Sequence, residues 1–263
     1  MSKIDPTARV EDGAVIGEGT EIGPFCIIGR NARIGANCKL IGQVTVIGHT
    51  SVGDACVISP FAVLGGAPQD LSYKGEPTTL DIGSGCTIRE GATMNVGTVK
   101  GGGKTRVGND GYFMNNSHVG HDCVVGNNAI FATSATLGGH CEIGDAVYIG
   151  GLSAVHQFTR IGSYVMVGGL SGVRDDIIPY GLANGQYAVL ESLNLIGMKR
   201  RKFTRPRLAT VRSFYQKLFH GPGTFAERLE AVRPLESEDP AIAEILGFIG
   251  KGKRPLCLPT IEK

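Results

Sequence analysis

The 263-residue sequence has no tryptophan, only 6% aromatic residues and a formal net charge of only +2. Its core must therefore consist mainly of aliphatic side chains, and the whole-chain charge says little about partners. No segment approaches the roughly 18 consecutive apolar residues of a membrane span, and the first ten residues, MSKIDPTARV, lack the apolar centre of a signal peptide. We therefore expect a cytoplasmic protein without a membrane span.

A strict six-residue repeat runs from Val107 to Val173. Every sixth residue is apolar, and a small side chain follows four residues after each of the first eleven. A period of six fits neither a helix nor a simple strand, and it is typical of a solenoid. The apolar positions are Val107, Phe113, Val119, Val125, Phe131, Leu137, Ile143, Ile149, Val155, Ile161, Val167 and Val173.

This repeat predicts a mainly β fold, a parallel β-helix shaped as a triangular prism. Each hexad would supply one short strand and one turn, and three hexads would close a coil of 18 residues, so that residue n lies beneath residue n+18. Eleven hexads from Ile4 to Leu64, three from Ile82 to Met94 and the twelve from Val107 to Val173 give 26 in total. The interruptions at 65–79 and 97–106 are predicted loops ejected from the prism. A glycine directly after the aliphatic residue would relieve crowding or permit positive φ.

Two domains are predicted, a β-helix over residues 1–178 and a C-terminal α-helical domain over 179–263. We expect helices near 188–200, 205–219, 224–233 and 240–249, and a helical cap would cover the open end of the prism. Residues 181–263 carry 14 Lys and Arg against 8 Asp and Glu. The helical domain is thus the basic part of the chain.

The seven cysteines do not form a redox or metal motif. Six of them occupy the small-residue slot of a hexad, which predicts small buried fillers. These are Cys26, Cys38, Cys56, Cys86, Cys123 and Cys141.

The polar segment NNSHVGHD, residues 115–122, breaks the hexad pattern most strongly. The 18-residue map places Gly139 over His121 and Gln157 over Gly139, with His140 and His156 beside them. A neutral histidine can accept a proton from a hydroxyl or amine that attacks a carbonyl, and a glycine N–H can stabilise the developing oxyanion. The strip therefore indicates acyl transfer, and the absence of a GxSxG motif favours direct transfer without a covalent acyl-enzyme.

Several segments resemble the acyl-carrier-protein-dependent UDP-N-acetylglucosamine acyltransferases, the enzymes that open lipid A biosynthesis. They are GGAPQDLSYKGEPT, TIREGATMNVGTVKGGGKTRVG, NSHVGHDCVVG, GGLSAVHQF, VMVGGLSGV and LNLIGMKRR. The resemblance implies a left-handed parallel β-helix with a C-terminal helical domain, assembled as a homotrimer with active sites between subunits. It also implies a 3-hydroxyacyl donor carried as the phosphopantetheine thioester of acyl carrier protein, with no cofactor and no metal.

The same resemblance assigns roles to individual residues. It makes His121 the general base, Asp122 its support and the Gly139 amide the oxyanion donor. Gly169 would leave room for a chain longer than about ten carbons. The residues implied in holding the sugar and acyl groups are Gln69, Asp70, His118 and His140. Those implied near the nucleotide and its phosphates are His156, Gln157, Asn194, Arg200 and Arg201.

Simpler explanations exist for some of these residues. Asp122 could cap a turn, and because successive strand residues point to opposite faces, spacing argues against a direct His121–Asp122 contact. Gln69 and Asp70 lie among turn formers and could be merely solvated. The basic run at 199–207 is usual for a solvated helix face, and here it suits the nucleotide diphosphate or acidic acyl carrier protein. It is short and lacks interleaved aromatic residues, so we expect no nucleic-acid partner.

The chain departs from the family pattern at Ser72, where a lysine commonly follows the DL pair. It also departs at Asn95 and Val96, where many relatives carry a histidine and a basic residue. Both changes fall near the expected sugar site, so a 3-amino sugar that forms an amide stays open as the acceptor. Acetyl-coenzyme A-dependent acetyltransfer is the main rival function. A zinc site at His118, His121 and His140 and a purely structural solenoid are weaker alternatives.

Overall fold

In the computed structural model, which describes residues 2–260, the chain up to Val173 forms a triangular prism of short parallel strands. Three sheets of eleven, nine and eight strands make its faces. The predicted mainly β prism is confirmed, and its 26 short strands match the 26 hexads.

The sheets are named A, B and C in the order in which the chain visits them. Sheet A contains Lys3–Ile4, Glu21–Ile22, Lys39–Leu40, Val57–Ile58, Thr87–Ile88, Tyr112–Phe113, Ile130–Phe131, Tyr148–Ile149, Met166–Val167, Gly181–Asn184 and Val189–Leu193. Sheet B contains Arg9–Val10, Ile27–Ile28, Thr45–Val46, Val63–Gly66, Thr93–Asn95, His118–Val119, Thr136–Leu137, Ala154–Val155 and Gly172–Val173. Sheet C contains Val15–Ile16, Arg33–Ile34, His49–Val52, Thr79–Ile82, Lys104–Val107, Val124–Val125, Glu142–Ile143 and Arg160–Ile161.

The strand register confirms the two ejected loops. Hydrogen-bonded neighbours in adjacent coils are 18 residues apart at Ala36 and Asp54, but 30 apart at Asp54 and Ser84 and 25 apart at Ser84 and Asn109. The first loop therefore adds 12 residues to its coil and the second adds 7, which is one hexad plus one residue. That extra residue explains why the apolar pattern changes phase after the second loop.

The core is a column of aliphatic side chains, with Phe113 and Phe131 stacked at a ring-centroid distance of 5.0 Å. Large aliphatic residues such as Leu64 and Ile88 are fully buried, and burial of each contributes about 1.5–3 kcal/mol. All seven cysteines are buried and free, so the prediction of small buried fillers is confirmed. Burial raises the pKa of the Cys26 thiol.

Between Val107 and Val173, the glycines that follow the aliphatic residues relieve crowding but do not adopt positive φ. A Cβ on Gly126 would lie 2.7 Å from the backbone nitrogen of Asp145 in the next coil. Positive φ occurs two residues after these glycines, at non-glycine corner positions such as Asp122 and His140. In this run the predicted alternative of positive φ is therefore wrong, because the left-handed bend lies nearer the following strand. Gly65, which follows Leu64 at the start of the first ejected loop, does adopt positive φ.

After Val173 the chain first adds a β-hairpin to the end of sheet A. Gly181–Asn184 pairs in parallel with Met166–Val167, and Val189–Leu193 pairs antiparallel with Gly181–Asn184. The prediction of helix from residue 188 is wrong, because this segment extends the sheet and covers its last edge. Helix begins only at Leu195, after the N-cap Asn194.

Four helices follow the hairpin: α1 Leu195–Arg200, α2 Arg205–His220, α3 Phe225–Val232 and α4 Pro240–Gly250. The last three confirm the predicted segments, and a 3₁₀ helix over Arg233–Glu238 joins α3 to α4. The proposed domain boundary at 178/179 lies between the last prism strand and the hairpin. Among residues 2–260, no helix is long and apolar enough to cross a membrane.

An ion pair attaches the helices to the prism. Arg160 Nε donates to Asp176 Oδ2 at 2.8 Å, and the same guanidinium donates to the carbonyl of Phe248 on α4 at 3.1 Å. Asp176 is fully buried, so the pairing satisfies a carboxylate that would otherwise be costly to bury.

Candidate active site

One edge of the prism carries most of the predicted site. This edge, named the B/C corner, is the series of bends between each sheet B strand and the following sheet C strand. Both ejected loops leave here on successive coils, followed by the bends that contain His121, Gly139 and Gln157. The amide of His140 donates to the carbonyl of His121 at 2.9 Å and that of Phe158 to Gly139 at 3.0 Å. The predicted stacking of these three coils is confirmed.

His121 and Asp122 form a hydrogen-bonded pair at this corner. The His121 Nδ1 atom lies 2.8 Å from Asp122 Oδ2, and the Asp122 side chain is fully buried. The sequence argument against direct contact is wrong, because Asp122 has φ 60° and lies in the bend, where strand alternation does not apply. With Nδ1–H donating to the carboxylate, the Nε2 lone pair of His121 is available as a proton acceptor.

The second ejected loop fixes the Asp122 carboxylate. Thr98 donates to it twice, from the backbone N–H to Oδ1 at 2.7 Å and from Oγ1 to Oδ2 at 2.7 Å. The Asp122 amide in turn donates to Thr105 Oγ1 at 2.8 Å. Sequence reasoning missed Thr98, because the 18-residue map does not apply to residues of an ejected loop, and it missed Thr105, which lies in the strand Lys104–Val107 that follows the loop. The only feature of the sequence that pointed to Thr98 was its place in GTVKGGG, a segment that resembles the family.

Gly139 packs directly against the imidazole of His121. A Cβ at Gly139 would lie 2.7 Å from His121 Nε2, so any side chain would displace the ring. Within residues 2–260 the Gly139 N–H has no hydrogen-bond partner. The equivalent amides of Asn109 and Asn127 at another corner donate to side-chain oxygens of the next coil. The Gly139 amide is thus left available for a ligand beside the base.

His140 adds a second imidazole to the cluster. Its ring stacks on Phe158 at a centroid distance of 4.4 Å and meets the His121 ring edge-on at 5.0 Å. Burial lowers the pKa of His140, although the Asp122 carboxylate opposes this effect. His140 is therefore neutral at pH 7 and can both donate and accept hydrogen bonds.

His118 points outward from sheet B, one coil below Thr136. Its Nδ1 lies 2.8 Å from Thr93 Oγ1. Burial, with a smaller contribution from His121, lowers the pKa of His118. Above it the outward residues of sheet B are Thr136, Ala154 and Gly172, all small. They form a narrow floor that runs along sheet B, parallel to the prism axis.

Gln69 and Asp70 lie on the first ejected loop, beside the same corner. Gln69 is exposed, and Asp70 Oδ1 accepts a 2.7 Å hydrogen bond from the Ser72 amide, which lowers the pKa of Asp70. The positive charge of Lys100 lowers the pKa of Asp70 further. Asn95 connects the loop to the prism, since its Nδ2 donates to the carbonyl of Ala67 at 3.0 Å.

His156 and Gln157 continue the corner one coil above Gly139, and both are exposed. The His156 Nδ1 lies 2.9 Å from the Gln157 carbonyl. They therefore border the His121 cluster without contacting the His121–Asp122 pair.

Asn194, Arg200 and Arg201 are not brought together with His121 in one chain. They line a cavity of about 840 Å³ on sheet A, the face opposite the B/C corner. Asn194 uses both side-chain atoms, accepting from the Gly197 amide and donating to the Tyr164 carbonyl. Arg201 stacks on the Tyr164 ring at 3.8 Å, whereas Arg200 is exposed.

Gly169 is also separate from the base. It is exposed at the bend between sheets A and B, on the far side of the sheet B floor from the B/C corner. A Cβ there would lie 3.3 Å from the Gly151 carbonyl oxygen, so any side chain at this position would require a slight adjustment of the neighbouring backbone.

The basic run is only partly available for partners. Arg207 is paired with Asp239 through two hydrogen bonds of 2.6 and 3.0 Å. The other cations of the run are exposed and form the basic patch, defined as Lys199, Arg200, Arg201, Lys202 and Arg205.

Among residues 2–260, one group of side chains could accommodate a metal, and it is the histidine cluster described above. One ligand atom each from His121, Asp122 and His140 lies within 4.8 Å of the others, and His118 is not part of this group. Asp122 Oδ2 already accepts hydrogen bonds from Thr98 and His121. The candidate metal ligands are thus already hydrogen-bonded to one another, as a proton-transfer pair would be. The expectation of no metal stays a prediction.

Comparisons with known proteins agree with this geometry. Residues 176–257 match the family model described as UDP N-acetylglucosamine O-acyltransferase, domain 2. The chain is 54% identical to an acyl-(acyl-carrier-protein)–UDP-N-acetylglucosamine O-acyltransferase of Azorhizobium caulinodans over 98% of this chain and 95% of that protein. It is 51% identical to the protein of the same name from Caulobacter vibrioides over 84% of each chain.

Solved structures with the same architecture include UDP-N-acetylglucosamine acyltransferases. The enzyme from Campylobacter jejuni superposes with a TM-score of 0.92 at 36% identity, covering 98% of this chain and 100% of that one. The enzyme from Moraxella catarrhalis superposes with a TM-score of 0.91 at 39% identity, covering 97% and 99%. The fold is accordingly a left-handed parallel β-helix with a C-terminal helical region.

Proposed function

Because the chain belongs to the acyl-(acyl-carrier-protein)–UDP-N-acetylglucosamine O-acyltransferase family, we propose that it transfers a 3-hydroxyacyl chain from acyl carrier protein to the 3-position of UDP-N-acetylglucosamine. This is the first step of lipid A biosynthesis. The observation that carries the proposal is the His121–Asp122 pair beside the unpaired Gly139 amide. We place the reaction in the cytoplasm.

His121 acts as the general base. Its Nε2 takes the proton of the sugar 3-hydroxyl while the oxygen attacks the thioester carbonyl. Asp122 holds the ring orientation through Nδ1 and stabilises the imidazolium, and Thr98 keeps the carboxylate in place. The Gly139 N–H stabilises the oxyanion. When the C–S bond breaks, the proton passes to the leaving thiolate, and the products are the ester and the free thiol of the carrier protein.

No residue is acylated in this mechanism. Six cysteines are buried in the prism core and Cys257 is buried beside the hairpin, so none is exposed to attack a thioester. The phosphopantetheine thioester is the donor substrate, and the protein needs no cofactor.

The acyl chain lies along the floor of small residues on sheet B. Thr136, Ala154 and Gly172 leave room for methylene groups, and Gly169 marks the far side of this floor. A small residue there leaves space for a chain longer than about ten carbons. Gln69, Asp70, His118 and His140 hold the sugar and the start of the acyl chain.

The complete site forms between subunits of a homotrimer. Since Asn194, Arg200 and Arg201 lie on the face opposite His121, they bind the nucleotide and phosphates at the His121 cluster of a neighbouring copy, near its His156 and Gln157. The basic patch at the start of the helical domain also suits docking of acidic acyl carrier protein.

A sugar nucleotide with a 3-amino group is the second candidate acceptor. Ser72, Asn95 and Val96, the departures from the family pattern, all lie on or beside the two ejected loops. Asn95 is only 8% exposed, and its Oδ1 has no hydrogen-bond partner among residues 2–260. A buried acceptor without a partner is costly, so Asn95 is the departure that most favours a changed acceptor sugar.

The proposal is tested by a transfer assay with 3-hydroxyacyl carrier proteins of about 10 to 16 carbons. Each donor is offered UDP-N-acetylglucosamine or its 3-amino analogue, and products are identified by mass. We expect ester product with the hydroxyl sugar. If only the amino sugar is acylated, forming an amide, the 3-amino sugar nucleotide is the acceptor. Transfer only from acetyl-coenzyme A would contradict both.

A further inference from the structure

The second ejected loop bridges the first ejected loop and the catalytic pair. At one end Thr98 is fixed on Asp122 by two hydrogen bonds. Two residues later, Lys100 Nζ donates to Ser72 Oγ of the first loop at 2.9 Å. The short 3₁₀ helix Val99–Gly101 holds these two contacts at a fixed separation. The Lys100 ammonium is therefore positioned relative to the base.

Lys100 has unused binding capacity. Its ammonium carries three donors, and the bond to Ser72 is its only hydrogen bond within residues 2–260. Asp70 Oδ1 accepts a 2.7 Å hydrogen bond from the Ser72 amide, so Ser72 links the Asp70 carboxylate to the Lys100 ammonium. An exposed cation with spare donors, close to a carboxylate on the loop beside the catalytic pair, suits a ligand with both hydroxyl and anionic groups.

We infer that Lys100 binds the sugar-diphosphate portion of the acceptor nucleotide and that Ser72 positions the Lys100 ammonium. The inference rests on the proposed function. The diphosphate is attached to the same sugar ring whose 3-position reacts at His121, so a cation beside Asp70 is within its reach. The phosphodiester of the acyl donor lies at the far end of the phosphopantetheine arm, well away from the reacting carbonyl. A lysine commonly follows the DL pair in the family, and this chain has Ser72 there. Lys100 of the second ejected loop thus supplies a cation near that position.

A steady-state comparison of Lys100→Met with Lys74→Met tests this role. Methionine keeps most of the length of the lysine stem but removes the charge. Lys74 is an exposed lysine of the first loop that makes its hydrogen bond through the backbone N–H, so it is a matched control. We expect Lys100→Met to raise KM for UDP-N-acetylglucosamine about tenfold. Its kcat and its KM for the acyl donor should stay within about threefold of the wild type.

Moving the positive charge from residue 100 to the first ejected loop distinguishes a role in substrate binding from a purely structural contact between the two loops. In the double variant Ser72→Lys/Lys100→Met, the new ammonium enters the space beside Asp70 from the other loop. We expect KM for the sugar nucleotide to return to within about threefold of the wild type. Melting temperatures of all variants should match the wild type, because Lys100 and Ser72 are exposed.

The outcomes distinguish this inference from the proposed function. An active wild type with equal KM values for Lys100→Met and Lys74→Met would overturn the role of Lys100 alone. The role of Lys100 would also be overturned if Lys100→Met lowers kcat and melting temperature together and the double variant restores neither KM nor melting temperature. A wild type that transfers no acyl chain to either sugar would overturn the proposed function itself.

Discussion

At the scale of single residues, the proposed mechanism depends on a histidine whose surroundings allow few alternatives. His121 is bounded by Asp122 on one side and by the backbone of Gly139 on the other. Since a Cβ at Gly139 would come within 2.7 Å of His121 Nε2, the proposed mechanism requires the absence of a side chain there as much as it requires the imidazole.

Gly139→Ala should therefore reduce kcat by at least about a hundredfold, because the methyl group displaces the imidazole and obstructs the oxyanion donor. The loss is measured in the transfer assay at saturating substrates. Gly151→Ala is the control, since a Cβ there would approach only the Thr133 carbonyl, at 3.3 Å. Similar kcat values for both variants would contradict the role of Gly139.

Acid should destabilise the protein partly through His118. Burial lowers the folded-state pKa of His118 below its ordinary value of 6.5, so the unfolded chain binds a proton first as the pH falls. The stability linked to neutral His118 is complete above about pH 6.5 and decreases below it. His118→Asn should reduce the loss of melting temperature between about pH 7.5 and 5.5. The exposed His49→Asn variant should lose as much as the wild type, and equal losses in all three proteins would refute this contribution.

At the scale of structural elements, the hexad determines where each strand lies, and the chain between strands determines the chemistry. The six-residue period was sufficient to predict the prism, its 26 strands and the stacking of His121, Gly139 and Gln157, because inter-coil hydrogen bonds repeat with the sequence. It could not predict that Thr98 holds Asp122, since ejected loops have no fixed register with the prism. Val189–Leu193 was also misassigned, because pairing with the sheet A edge overrides local helix propensity.

The glycine after each aliphatic residue should be required by backbone contact between coils. Gly126→Ala places a methyl group 2.7 Å from the backbone nitrogen of Asp145, and we expect a loss of about 1–3 kcal/mol in unfolding free energy. Thermal unfolding is the measurement. Gly247→Ala in α4 is the matched control, since its Cβ would meet nothing within 4 Å and alanine favours helix. A Gly126→Ala melting temperature at or above that of Gly247→Ala would contradict the crowding argument.

At the scale of the whole molecule, the proposed site needs residues that one chain does not bring together. His121 lies at the B/C corner, while Asn194, Arg200 and Arg201 line a cavity on the opposite face. The family resemblance was enough to identify all of these residues from the sequence. It could not show that they separate within one chain, because that depends on which face of the prism each segment reaches.

Mixed oligomers should therefore regain activity. His121→Ala and Arg200→Ala/Arg201→Ala chains are coexpressed with different tags, and assemblies containing both are purified. If each site combines two copies, a mixed trimer holds one intact site and should show about a third of wild-type activity. Assemblies of either variant alone are the controls. A mixed assembly no more active than those controls would contradict a shared site.

The central claim is that His121 removes the proton from the attacking sugar hydroxyl. The most direct measurement is kcat for acyl transfer to UDP-N-acetylglucosamine by His121→Ala, with circular dichroism and melting temperature as controls for the fold. We predict an intact β-helix and a decrease in kcat of at least about a hundredfold, the scale expected for loss of a general base. A folded His121→Ala protein with near-normal kcat would contradict the mechanism.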